Sequence, residues 1–270
     1  MPEEDDIWIA CATCQGFPFD EDHEPVAHAL GGVRYHAYPW DADVDWSKYD
    51  LVVVRSTWDY TARIEEFLAW VHSLGAVANP ADVIDWNHDK RYLAALHAAG
   101  VPTVPTRWDP TDLPAGRWVA KPTISAGARD TIAGDATQAM AHVVALHAAG
   151  RRAMVQPYLD GIDEHGESAL VYLDGALSHA VRKAPRLGLD KTQERVAPYT
   201  PTPEELDLAD LVLDTIPFDR ADLLYARVDL VPDADGDPVL LELELIEPSL
   251  FLVHAEGAVD RFAHALLRRF

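Results

Sequence analysis

Positive charge is scarce in this 270-residue chain: 22 Lys and Arg stand against 45 Asp and Glu, for a formal net charge of −23. That deficit argues against nucleic acid or an anionic membrane as the main partner, because both reward a basic face through counterion release or surface attraction. A local basic pocket for a small anion stays open. Long apolar runs are missing as well; none approaches the ~18 residues that a bilayer span needs. The first residues, MPEEDDIW, are acidic and lack the basic start and apolar core of a signal peptide, so the expected location is cytoplasmic. Cysteine is nearly absent. Cys11 and Cys14 form CATC, but the QGFPFDEDHEP that follows does not read as the helix a redox CxxC opens. A zinc site would need two more ligands, with His23 and His28 the only loose candidates, so a strand end entering a loop is the simpler reading. There is no GxGxxG after the first strand and no GxxxxGK[ST] anywhere, which removes the dinucleotide fingerprint and the P-loop.

What remains is the composition of a globular protein, 49% hydrophobic and 25% charged, without internal repeats or low-complexity tracts. Strand and helix signals alternate over the first 86 residues: IWIACAT, the helix EPVAHALGG, VRYHAYPW, the fully apolar YDLVVVRS, the amphipathic ARIEEFLAWVHSLG and a short strand at AVANP. This reads as a βαβ lobe on a parallel sheet. A helix at HDKRYLAALHAAG and the proline-rich VPTVPTRWDPTDLP form an expected connection over 87–116, exposed between lobes. RWVAKPTISAGARDT, the helix ATQAMAHVVALHAAG and the strand RAMVQPYL make a small central lobe, 117–157. The rest, 158–270, holds a hairpin about Asp174–Gly175, a helix capped by Thr202, the strands ADLLYARVDLV and PVLLELELIEP, and a final helix. The fold class expected is therefore α/β, with α+β lobes.

Chemistry enters with the last pair of strands. Tyr225, Arg227 and Asp229 share one face of the first, and Glu242 and Glu244 share one face of the second. If the hairpin closes about PDADGD, Asp229 falls opposite Glu242, and like charges so opposed cost on the order of 0.2–1 kcal/mol. Three crowded carboxylates want a cation. Hard oxygen ligands on a sheet suit Mg²⁺, and an adjacent arginine suits a phosphate oxygen held by that metal. The hairpin alone is equally compatible with a solvated face. Glu247, one residue out of phase, is expected to meet substrate or solvent. The lysines add weight to the first reading. They stand only at 48, 90, 121, 183 and 191, and Lys121 ends a strand that leads into a small-residue loop, where backbone N–H groups can cradle phosphate.

The order of these pieces resembles the ATP-grasp superfamily, which includes glutathione synthetase and D-alanine–D-alanine ligase. The motifs are a lysine on a helix (DKRYL), a strand lysine with a flexible loop (VAKPTISAGARDT), a strand with QPYL, then RVD and ELELIEP. RSTWDY, ARDT, SHAVRK and ELELIEPSLFL are most similar to the subgroup of the D-cycloserine-forming cyclo-ligase, and the likeness spans essentially the whole chain. It implies an ATP-grasp fold and an ADP-producing ligase that activates a carboxylate, or a ureido or acyl group, of a small amino-acid-like substrate for attack by nitrogen. Intramolecular cyclisation, joining of two amino-acid substrates, and a nucleotide-binding module without catalysis are the alternatives. It further implies ATP and Mg²⁺, with two ions expected, a small-molecule substrate, and room for a homodimer.

Residue by residue, the resemblance puts Lys90 and Lys121 on the phosphates and makes Ser125 to Thr131, with Ser125, Ala126 and Gly127 at its start, a mobile flap. It puts Gln156, Pro157, Tyr158 and Leu159 on adenine, with Tyr158 acting through its backbone, and Asp163 on the ribose. Asp229, Glu242 and Glu244 become metal ligands and Arg227 the arginine near the γ-phosphate. Asp163 departs from the usual glutamate, and Glu244 from the usual asparagine. Arg55, Arg129 and Arg182 are expected on the substrate, Arg182 also as catalytic, each against a plain reading: a pair with Asp59 for Arg55, a pair with Asp130 for Arg129, and surface charge for Arg182 and Lys183. The segment Ala184 to Val196 aligns least and is expected to face the acceptor. Of the histidines, His179 is the one to watch.

Overall fold

A computed structural model describes residues 7–184 and 196–270. Among them the strands form three sheets. The first is parallel, in the order β2-β1-β3-β4, from β1 (Trp8–Thr13), β2 (Arg34–Pro39), β3 (Leu51–Val54) and β4 (Val77–Ala78). β3 is buried at every position, as its unbroken LVVV requires. Helices α1 (His23–Ala29) and α2 (Ile64–Ser73) are the crossovers. Cys11 and Cys14 are buried and free, and Cys14 pairs only with Phe17 as the strand runs into its loop.

Two short elements depart from the expectation. Ala81–Asn87 is a helix, α3, burying Val83, Ile84 and Asn87. Lys90 then lies in the turn before α4 (Tyr92–Ala98) rather than on a helix. The Asp89 carboxylate takes the N–H of Arg91 there, and the N–H of Lys90 is held by Thr123 O. The proline-rich segment beyond is not simply exposed. Val101 and Val104 are buried, and Val104 N–H and Pro102 O bond the backbone of Leu240.

The second sheet, β5-β8-β6-β7, is antiparallel: β5 (Arg107–Trp108), β6 (Arg117–Pro122), β7 (Ile132–Asp135) and β8 (Ala153–Pro157), covered by α5 (Ala136–Ala148). The third runs β11-β10-β9-β12-β13, from β9 (Glu167–Leu173), β10 (Ala176–Lys183), β11 (Val196–Tyr199), β12 (Tyr225–Pro232) and β13 (Pro238–Glu244). The short α6 (Gly161–His165) precedes it, and α7 (Pro203–Thr215), opened by a capping box between Thr202 and Glu205, covers one face. The last helix, α8 (Ala258–Leu267), packs back on α1 and shares a core with the parallel sheet.

Candidate active site

β12 and β13 pair so that Asp229 faces Glu242 and Arg227 faces Glu244, with a bulge at Leu241. Period-two alternation then sends all four charged groups to one side, where a cavity of about 590 Å³ opens between the three sheets. Gln156, Pro157, Tyr158 and Leu159 line one end, at the exit of β8. Lys90, Lys121, the loop from Ser125 to Arg129, and the acids line the middle. Phe17, Trp58 and Tyr60, from loops leaving the C-terminal ends of β1 and β3, line the other end with Glu247. That is where parallel sheets gather their ligands.

The charges are cross-paired. Glu242 is 2.8 Å from Lys90 and 3.9 Å from Lys121. Burial alone would raise its carboxyl, but the two lysines hold it below the usual range. Asp229 accepts from Arg227 Nε and Nη2 at 2.8 and 2.9 Å and from Lys183 Nζ at 2.7 Å. Against its burial, those cations hold it well below ordinary carboxylates. Glu244 also accepts from Arg227, yet burial and the nearby Asp229 and Glu242 push it up to about 7. Lys121, buried beside Lys90, is lowered by desolvation; Lys90 is raised, because Glu242 outweighs its burial. Among the described residues no three His, Cys, Asp or Glu stand in a ready metal cluster. Each acid of the expected metal set is instead turned onto a cation. Glu242 and Glu244 keep 22% and 27% of their side chains open and are suitable hard oxygen donors, whereas Asp229 has both oxygens engaged.

Other expected residues lie elsewhere than the sequence placed them. Arg182 does not line the cavity: it stacks 3.8 Å over Tyr199 and donates to His165 O. Its neighbour Lys183 is buried in the cavity wall between Asp229 and Glu167. The cause is a bulge between Leu177 and His179, which shifts β10 by one residue and puts Lys183, not Arg182, opposite Glu167. Arg55 is also outside the cavity. It is buried against Asp20 and Asp22, at 2.9 and 3.5 Å, and donates to Pro248 O; Asp59 instead takes the indole of Trp40. Arg129 is exposed on the cavity loop, and Asp130 pairs with Arg151. The backbone N–H of Tyr158 is engaged by Arg117 O at 2.9 Å, whereas its carbonyl accepts no hydrogen bond among the described residues. Gln156 gives its amide to Thr106. Asp163 sits exposed at the rim, where it accepts from the Tyr158 hydroxyl. His179 holds Leu250 O at 2.8 Å and stays out of the cavity. The stretch expected to face the acceptor falls, over 185–195, outside the described residues.

Sequence reasoning missed Trp58, Tyr60 and Glu167 as cavity residues and left Lys183 undecided. For Trp58 and Tyr60 a signal existed, since RSTWDY leaves the C-terminal end of a buried parallel strand.

Three comparisons with known proteins bear on this site. A family model described as the N-terminal domain of D-cycloserine synthetase DcsG matches residues 9–82. The cycloserine biosynthesis protein DcsG of Streptomyces lavendulae is 35% identical over 283 aligned positions, covering 93% of this chain and 95% of that one. The crystal structure of D-cycloserine synthetase DcsG superposes with a TM-score of 0.87 at 32% identity, over 97% of this chain and 99% of that one. D-alanine–D-alanine ligase from Bacillus anthracis, complexed with ATP, is similar in fold alone, with a TM-score of 0.66 at 13% identity over 97% and 96% of the two chains.

Proposed function

The chain belongs to the family of D-cycloserine synthetase DcsG among the ATP-grasp ligases, and from that premise we propose that its cavity holds Mg·ATP and activates the carboxylate of a small amino-acid-like substrate. It is an ATP-dependent ligase. The observation that carries the reading is the convergence of Lys90 and Lys121, from separate elements, on the acids of β12 and β13 in one cavity.

In this reading Lys90 and Lys121 take the phosphates, and the Tyr158 carbonyl and Gln156 take the adenine edge. Glu242 and Glu244, with Asp229 beside them, would hold the magnesium, for which two ions are the expectation. The metal supplies charge neutralisation on the triphosphate. The substrate carboxylate attacks the γ-phosphorus, the bond to ADP breaks, and an acyl phosphate forms. A nitrogen then attacks the acyl carbon, phosphate leaves, and the nitrogen's proton passes to solvent or to a cavity carboxylate. The protein's share is positioning and electrostatics, with Arg227 beside the transferring group and the loop from Ser125 to Thr131 excluding water. Arg129 on that loop is the substrate-facing cation the site retains once Arg55 and Arg182 are set aside.

The finer assignment is ring closure within one substrate; the Streptomyces relative is named as a cycloserine biosynthesis protein. The test is ADP release from Mg·ATP with a panel of free and O-substituted amino acids. Tight ATP binding without ADP release under every substrate overturns the ligase reading. Glu242→Gln and Asp229→Asn should each weaken Mg·ATP at least tenfold, and normal binding by both would remove the metal assignment.

A further inference from the structure

Every acid in the middle of the cavity has a cation on it, but among the described residues none is paired with Glu247. The residue is 9% exposed and lines the cavity, and among the described residues no hydrogen-bond donor or ion-pair partner meets its carboxylate. Its backbone is fixed, since Trp58 Nε1 donates to Glu247 O at 3.0 Å. Tyr60, 3% exposed, lines the same cavity; burial first and the Glu247 charge second push its hydroxyl well above the ordinary range, and among the described residues that hydroxyl has no partner. Phe17 meets Trp58 edge-on at 4.9 Å and extends the wall.

We propose that Glu247, with the rings of Trp58 and Tyr60, binds the primary ammonium group of the amino-acid-like substrate. The inference rests on the ligase reading and names the class of ligand at the end of the cavity away from Gln156. A buried carboxylate against aromatic rings is the surrounding that an organic cation prefers, through charge and through the ring quadrupoles. A hard metal ion needs several further oxygen ligands; Phe17 and Trp58 at this end supply none from their side chains, and the nearby Glu244 is turned onto Arg227. A second carboxylate would be repelled. Burial and the nearby Glu244 push the Glu247 carboxyl up to about 8, the condition an incoming cation relieves. The position also serves the chemistry. An ammonium held at Glu247 leaves the rest of a small α-amino acid directed toward Glu244 and Arg227, where phosphoryl transfer is placed.

The experiment is calorimetric titration of the full chain, loaded with Mg²⁺ and a non-hydrolysable ATP analogue. The probes are both enantiomers of serine and alanine, D-cycloserine, and the N-acetyl form of each. At least one amine should bind, and acetylation should weaken it at least tenfold, an arm that needs no variant. Glu247→Gln should weaken the same amine at least tenfold while Mg·ATP affinity stays within twofold, and Glu247→Asp should recover part of the loss. Equal binding of an amine and its acetyl form, unchanged amine affinity in Glu247→Gln, or no amine bound by a chain that binds Mg·ATP would each overturn the proposal. Failure of the wild-type chain to bind Mg·ATP would instead remove the ligase reading beneath it.

Discussion

Asp229 carries both oxygens' worth of buried bonding from Arg227 and Lys183, so neutralising it takes one of two carboxylates from each cation and leaves Arg227 to Glu244 and Lys183 to Glu167. Breaking a buried pair from one side costs about 3–5 kcal/mol. Asp229→Asn should therefore lower the denaturant midpoint by about that much in addition to weakening Mg·ATP, and a variant as stable as wild type would contradict the pairing. The sign with pH follows from the direction of the shift: a carboxyl held below its unfolded value stabilises above the ordinary carboxylate range and loses that stability as pH falls through its folded value. His179 titrates nearer neutrality. Burial lowers its ring to about 4 against 6.5, so the unfolded chain binds the extra proton between those values. Stability should fall on acidification from about pH 6.5 to 4, by at most about 1.4 kcal/mol per pH unit from this group. Melting curves of wild type and His179→Gln across that window should diverge; parallel curves would remove the assignment. At this scale the sequence was informative where alternation held. Asp229, Glu242 and Glu244 could be put on one face by counting, whereas Lys183 could not, because one extra residue in β10 reverses every facing after it.

At the scale of the element, the edge strand β13 is what presents Glu242 and Glu244, and its open side is covered by side chains. Asn87 donates to Leu243 O and accepts from Leu245 N–H, both at 2.9 Å, and the Tyr92 hydroxyl both donates to Leu243 O and accepts from its N–H. Edge strands left bare slip or pair wrongly, and these bonds pin the register that aims the acids. Asn87→Ala strips the buried Leu245 N–H of its partner, at about 1–3 kcal/mol, and leaves Leu243 O to the Tyr92 hydroxyl. It should speed hydrogen exchange at Leu245 and weaken Mg·ATP, although Asn87 belongs to a helix the sequence did not announce. Thr202→Ala is the contrast. Losing that cap costs about 1 kcal/mol and should leave nucleotide affinity unchanged, which separates general destabilisation from loss of strand register. The threonine cap was plain in TPEE. α3 was not, because seven residues after a proline carry too little periodicity to stand out from a turn.

For the whole molecule, the question is what joins the parallel sheet to the acid-bearing one. Asn79, fully buried, donates to Tyr225 O and Leu245 O at 2.8 Å and accepts from Leu224 N–H at 2.7 Å. Arg55 reaches Pro248 O from the same sheet. Wild-type thermal unfolding should be a single calorimetric transition, and Asn79→Ala should split off an earlier one for the N-terminal sheet; one unsplit peak would mean the shared core of α1 and α8 suffices alone. Local pattern was enough to determine the parallel N-terminal sheet and the hairpin of acids, since each follows from periodicity and turn residues. Tertiary structure alone decided which cations sit on which acids, that Arg55 and Arg182 leave the cavity, and that Glu247 faces it with no partner for its carboxylate among the described residues. Those outcomes depend on one-residue bulges and on contacts between segments more than a hundred residues apart, which no local pattern of residues encodes.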